Sequence, residues 1–163
     1  MSDLPPVPLV LDRPAAYDQV VEETFIDQNG HMNIGDYFRL GTWAPWHRLV
    51  ELGMDETYIP TRGFSFFTVE HHVRYLSELR LGQHFSVHGL LLERTAKTLH
   101  GAGVVVDREQ DRIACVLEIV YVHIAMAERR AAAFPDDVAG MLDGEIAACA
   151  ELAPYVDRLA LRR

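Results

Sequence analysis

The stretch Asp27-Gln28-Asn29-Gly30-His31-Met32-Asn33-Ile34-Gly35-Asp36-Tyr37 decides how this chain is read. Asn29-Gly30 is a strong turn signal, because glycine accepts the positive φ that a tight turn demands. Asn33 stands where a helix N-cap belongs, directly before a helical pattern. That pattern predicts a helix over 34–52. Ile34, Tyr37, Phe38, Gly41 and Ala44 follow one stripe, and Leu40, Trp43, His47 and Val50 broaden it. A helix apolar around so much of its circumference needs a wrapper larger than itself. Gly53 is a natural stop. Pro45 is a local conflict: it removes one ladder bond, so a kink near Gly41 or a break into two shorter helices is expected.

Outward from this segment the pattern changes. Residues 17–26 read as a strand, from Val20, Val21, Thr24 and Phe25. Residues 1–16 hold Pro5, Pro6, Pro8 and Pro14 and read as an arm, laid on the body or a neighbour, or loose. After a loop with Pro60 and Gly63 come four strand-like runs, 64–76, 85–93, 98–106 and 113–124. In the first, Val69, His71, Val73 and Tyr75 fall on one face and Glu70, His72 and Arg74 on the other. After Phe134-Pro135 a second helical stripe runs through Val138, Leu142, Ile146 and Cys149, then a short charged tail. Strand, long helix, four strands joined by short turns, final helix: this order predicts an α+β domain over 17–163, a curved antiparallel sheet around the central helix.

Composition narrows the function classes. The chain has 163 residues, 49% hydrophobic and 24% charged, as one globular domain requires. The net charge of −9 argues against a nucleic-acid binder. No apolar run is long enough to span a membrane and no signal peptide is visible, so a cytoplasmic protein is expected. Lys97 is the sole lysine, and no glycine-rich phosphate loop or G-x-S-x-G elbow occurs. Cys115 and Cys149 read as core thiols.

The segment DQNGHMNIGDY closely resembles the signature of the hotdog-fold acyl-CoA thioesterases, in the branch similar to 4-hydroxybenzoyl-CoA thioesterase. There a D-x-x-G-H-x-N loop leads into the long central helix, with a tyrosine four residues further on. VRYLSELRLG, from Val73 to Gly82, is similar to the family's second-strand pattern. That segment and the later TAKTLH also resemble the betainyl-CoA thioesterases of carnitine catabolism. The resemblance implies the hotdog fold, hydrolysis of a coenzyme A thioester, a homodimer with active sites at the subunit interface, and dimers that can pair again. It implies no cofactor, CoA being part of the substrate. The carboxylate it carries over is Asp27. The chain departs from the pattern at Ile34, where the family usually has a second asparagine.

Thioester hydrolysis needs an attacking group or an activated water, a holder for the oxyanion, and contacts that pin acyl group and CoA. Asp27 can attack or orient water; on local sequence alone it is equally a turn residue. His31 either meets the substrate carbonyl, locks Asp27, or is bonded within the turn. Asn33 orders the loop and caps the helix. Backbone N–H groups of Gly35 and Asp36 are the expected oxyanion donors. Gly30 permits close approach of the thioester to backbone. Tyr37, Trp43, Phe66, Glu70 and His72 are the expected acyl-pocket residues, with Glu70 either assisting Asp27 across the interface or balancing a cationic acyl group. Glu70 and His72 share a face, but no third ligand is evident, so no metal is expected. Arg62, Arg74, Arg94, Arg129 and Arg130 are candidates for the CoA phosphates. Two other readings stay open: an enoyl-thioester hydratase or dehydratase on the same fold, and a non-catalytic acyl-CoA-binding module.

Overall fold

Short turns join consecutive β-rich runs in this chain, and such runs pair antiparallel with their neighbours. The computed structural model describes residues 4–159 and Leu161. Its strands are β1 (Ala15–Val20), β2 (Phe64–Tyr75), β3 (His84–Arg94), β4 (Thr98–Asp107), β5 (Arg112–Ala125) and the two-residue β6 (Arg130–Ala131). All belong to one antiparallel sheet ordered β1-β3-β4-β5-β2, with β6 beside β5. The helices are α1 (Val7–Leu11), α2 (Ile34–Glu51), α3 (Tyr58–Arg62) and α4 (Asp136–Ala148).

The long helix α2 is unbroken, and it lies on the middle of the sheet because three glycines let it. A Cβ at Gly103 would sit 2.0 Å from the Gly41 carbonyl oxygen, and one at Gly89 would sit 2.2 Å from that of Ala44. A Cβ at Gly101 would be 3.3 Å from the Pro45 ring. Pro45 therefore does not split the helix. It frees the Gly41 carbonyl, which faces the glycine strip of β4. Leu40, Ala44 and Leu49 are fully buried beneath.

Four departures from the sequence expectations have local causes. The first strand stops at Val20, and Glu23–Phe25 form a 3₁₀ turn instead. The loop around Pro60 is the helix α3, closed by Gly63 at φ 76°. The stretch expected as an arm holds α1, started by prolines at its first turn, and its Val10 is buried on the outer face of the sheet. The charged tail also packs there: Leu152 and Val156 join Val10, Leu92, Val104 and Val116. Both ends of the chain thus cover apolar side chains that β3 and β4 present away from α2.

Alternation along β2 is interrupted by a bulge at Val69, between the pairs Thr68–Tyr121 and Glu70–Val120. A single inserted residue reverses the parity of every side chain beyond it. Phe64, Phe66 and Thr68 face the helix before the bulge, and His71 and Val73 after it. Val69 itself is 59% exposed.

Candidate active site

The loop before α2 is built by its own backbone. The Asp27 N–H donates to the His31 carbonyl (3.0 Å) and the Asn33 N–H to that of Phe25 (2.7 Å), around a bridge between Ile26 and Met32. Gly30 closes the turn at φ 79°, its N–H on the Asp27 carbonyl. A Cβ there would touch nothing within 4 Å, so the turn geometry, not close approach, requires this glycine. Met32, fully buried, donates its N–H to Leu79 (2.8 Å). Tyr37 reaches the same segment: its hydroxyl donates to the Ser77 carbonyl (3.1 Å) and accepts from the Leu79 N–H (2.8 Å). The loop motif and the VRYLSELRLG segment, far apart in sequence, are therefore clamped together. Burial pushes the Tyr37 phenol well above its usual range. With its hydroxyl committed on both sides, Tyr37 anchors the loop.

Asn33 is the N-cap, its Oδ1 accepting from the Gly35 N–H at 2.7 Å. A Cβ on Gly35 would press on that oxygen at 3.0 Å, which is why glycine stands there. The expected oxyanion donors are thus occupied: Gly35 by the Asn33 side chain and Asp36 by the Asn33 carbonyl (3.0 Å). Among the described residues, the Ile34 N–H is the first-turn donor with no partner. Asp27 is half-buried in the loop that leads into this turn. Its Oδ1 accepts from the Asn29 N–H (2.8 Å) and its Oδ2 from the Asn29 amide (3.4 Å). This is an Asx turn that leaves lone pairs on both oxygens. His31 Nδ1 bonds the Met32 carbonyl at 3.1 Å, so it carries the proton and Nε2 is left as an acceptor in the neutral ring.

A cavity of about 400 Å³ lies alongside α2. Phe38, Thr42, Trp43 and Trp46 form its helix wall. Thr68 and His71 of β2 and Ile119 and Tyr121 of β5 form its sheet wall. Phe38 is one turn, about 6 Å, past Ile34. Trp43 lines this cavity. Phe66 instead packs among Trp46, Tyr58 and Phe134 in the core below. Glu70 and His72 are turned to the opposite side of the sheet, away from the cavity. The residue that faces it is their neighbour His71, which meets the Phe38 ring edge-on at 4.9 Å. The opposite parity of adjacent strand residues was the signal for this, once the cavity's side was known.

On that outer face sits a group the sequence reading missed. Glu118 is fully buried, accepts from the Leu159 N–H (3.0 Å) and pairs with His100 Nε2 (3.1 Å) and His72 Nδ1 (3.5 Å). Burial pushes its carboxyl up, but the His100 and Leu159 hydrogen bonds outweigh this and hold it below the usual range. Of the arginines expected for CoA, Arg62 and Arg94 are each held in a fork by an aspartate, Asp137 and Asp143. Arg129 lies over the Phe67 ring.

The thioesterase-like superfamily model matches residues 21–142, which take in the loop, α2 and all four long strands. The chain belongs to the thioesterase-like superfamily. Superfamily relatives include the betainyl-CoA thioesterase of Pseudomonas aeruginosa, 25% identical over 75% of this chain and 77% of that protein. The L-carnitine dehydrogenase/betainyl-CoA thioesterase of Rhizobium meliloti is 28% identical over 77% of this chain. This chain spans only 25% of the length of that relative. Among solved structures, a 1,4-dihydroxy-2-naphthoyl-CoA thioesterase from Synechocystis superposes with a TM-score of 0.68 at 16% identity, covering 78% of this chain and 93% of its own. A Staphylococcus aureus protein solved with CoA gives 0.65 at 24%, covering 90% and 86%. These likenesses show the hotdog fold of the superfamily. No described helix is long and apolar enough to cross a membrane.

Proposed function

We propose that this chain hydrolyses an acyl-CoA thioester, with Asp27 as nucleophile or general base and betainyl-CoA as the favoured substrate. The superfamily match across residues 21–142 carries the reading. The loop geometry supports it. Asp27 keeps free lone pairs in the loop that leads into an 18-residue helix, whose dipole favours developing negative charge at that end. The unpartnered Ile34 N–H is the donor for the oxyanion, in place of Gly35 and Asp36. His31 Nε2, an acceptor in the neutral ring, can take a hydrogen bond or a proton from the attacking water. Asn33 acts by holding the first turn, as a positioning residue. CoA is substrate, and the reaction asks for no cofactor.

The site is completed by a second copy of the chain. Ile34 and Trp43 of α2 and Val69 of β2 are 63%, 48% and 59% exposed. Among the described residues, the edge of β2 away from β5 is unpaired. A long edge strand beside exposed apolar side chains is a surface for pairing. Covering it closes the mouth of the cavity and shields the thioester from bulk solvent. Further pairing of two such dimers is compatible with the same arrangement.

Thiol release from betainyl-CoA, benzoyl-CoA and butyryl-CoA tests the reading. The expected result is free CoA from all that are cleaved, fastest from betainyl-CoA, by a species of twice the chain mass. Hydration of an enoyl-CoA without thiol release would transfer the chain to the hydratase reading. Binding of all three without turnover would make it a carrier.

A further inference from the structure

The cavity beside α2 holds no carboxylate, no guanidinium and no ammonium among its lining residues. What it offers is aromatic surface, from Phe38, Trp43, Trp46 and Tyr121. Aromatic faces attract a cation, and a quaternary ammonium has no N–H groups that would demand acceptors. One lining side chain can itself become positive, and it is His71. We propose that His71 sets the charge preference of the acyl cavity: its neutral imidazole admits an acyl group bearing a permanent cation, and its imidazolium rejects that group. The proposal rests on the thioesterase reading above and concerns the same site.

The surroundings of His71 isolate this effect. From α2 it meets the Phe38 ring and faces Thr42, Trp43 and Trp46 across the cavity, none of which titrates near neutral pH. The charged residues at that end of α2, Asp36 and Arg39, pair with each other, and Arg39 lies over the Phe25 ring. His47 meets the edge of Trp43 and bonds the Tyr17 hydroxyl at 3.2 Å. From β5 it meets Ile119, opposite in the register, and Tyr121, whose phenol burial pushes far above its usual range. On β2 itself, Glu70 and His72 face the other way. His71 makes no hydrogen bond within the described chain, so nothing fixes its charge. Burial against this apolar wall holds its pKa below the usual value, so the ring is neutral at pH 7.

The test pairs betainyl-CoA with 3,3-dimethylbutyryl-CoA, its uncharged carbon isostere. The ratio of their kcat/KM values cancels every group that acts on the shared thioester. In the wild-type protein the ratio is expected to fall about tenfold from about pH 8 to about pH 5, as a like charge appears a few ångströms from the ammonium. In His71→Phe, and in His71→Gln read beside it, the ratio is expected to be flat. In His71→Arg it is expected to favour the uncharged isostere at every pH. A wild-type ratio independent of pH, or a fall that persists in His71→Phe and His71→Gln, overturns the proposal while leaving the thioesterase reading intact. Thiol release from neither substrate overturns both.

Discussion

Single residues around the loop carry two kinds of duty. Asp27 and His31 keep unused hydrogen-bonding capacity, whereas Tyr37, Asn33 and Gly35 spend theirs on the fold. Tyr37→Phe tests the distinction. It leaves the Leu79 N–H and the Ser77 carbonyl without their partner, and denaturant unfolding is expected to show a loss of about 1–3 kcal/mol. KM for a cleaved thioester is expected to stay within about twofold, because the hydroxyl does not reach the cavity. The turn at Gly30 and the cap at Asn33 were legible in the sequence because each follows from a local rule about φ or an orphan N–H. The commitment of Tyr37 was not. Its partners at Ser77 and Leu79 lie some forty residues away, and no local pattern announces them.

At the scale of elements, the decisive contact is between α2 and the glycine strip of β3 and β4. Gly103→Ala would place a methyl 2.0 Å from the Gly41 carbonyl. Helix or strand must move, and a loss of about 3 kcal/mol or more is expected by denaturant titration. Gly30→Ala, where a methyl meets nothing, is instead limited to the cost of its positive φ. The extents of α2 and of the four long strands could be read to within two residues, since apolar periodicity and turn glycines bound them. The bulge at Val69 could not. Valine favours strands as strongly as its neighbours, and nothing in its chemistry marks it as the inserted residue. That one insertion sets Phe66 and His71 on the same face and turns Glu70 and His72, which the sequence reading grouped with Phe66, to the other.

The whole molecule is a sheet covered on both sides, by α2 within and by the two chain ends without. Glu118 ties the C-terminal segment to the sheet through Leu159 and sits between His72 and His100. Its carboxyl is held below the ordinary value of 4.5 in the folded chain. Its stabilising contribution is therefore complete above that value and is lost as pH falls through the folded pKa. Glu118→Gln is expected to cost about 1–3 kcal/mol near neutral pH, and the gap from wild type to narrow as denaturant titrations are taken down toward about pH 3. A gap that stays constant with pH would deny the carboxylate this part. The outer-face packing was not legible, because a proline-rich start and a charged end have the composition of loose termini.

The most direct trial is thiol release by Asp27→Asn on the best wild-type substrate. The substitution keeps the Asx turn's oxygen acceptor and removes the charge, so the loop is preserved while the attacking or water-activating group is lost. The expected result is a fall in kcat of about a hundredfold or more with the fold unchanged. Turnover by the variant at the wild-type rate would contradict the placement of the chemistry at this carboxylate.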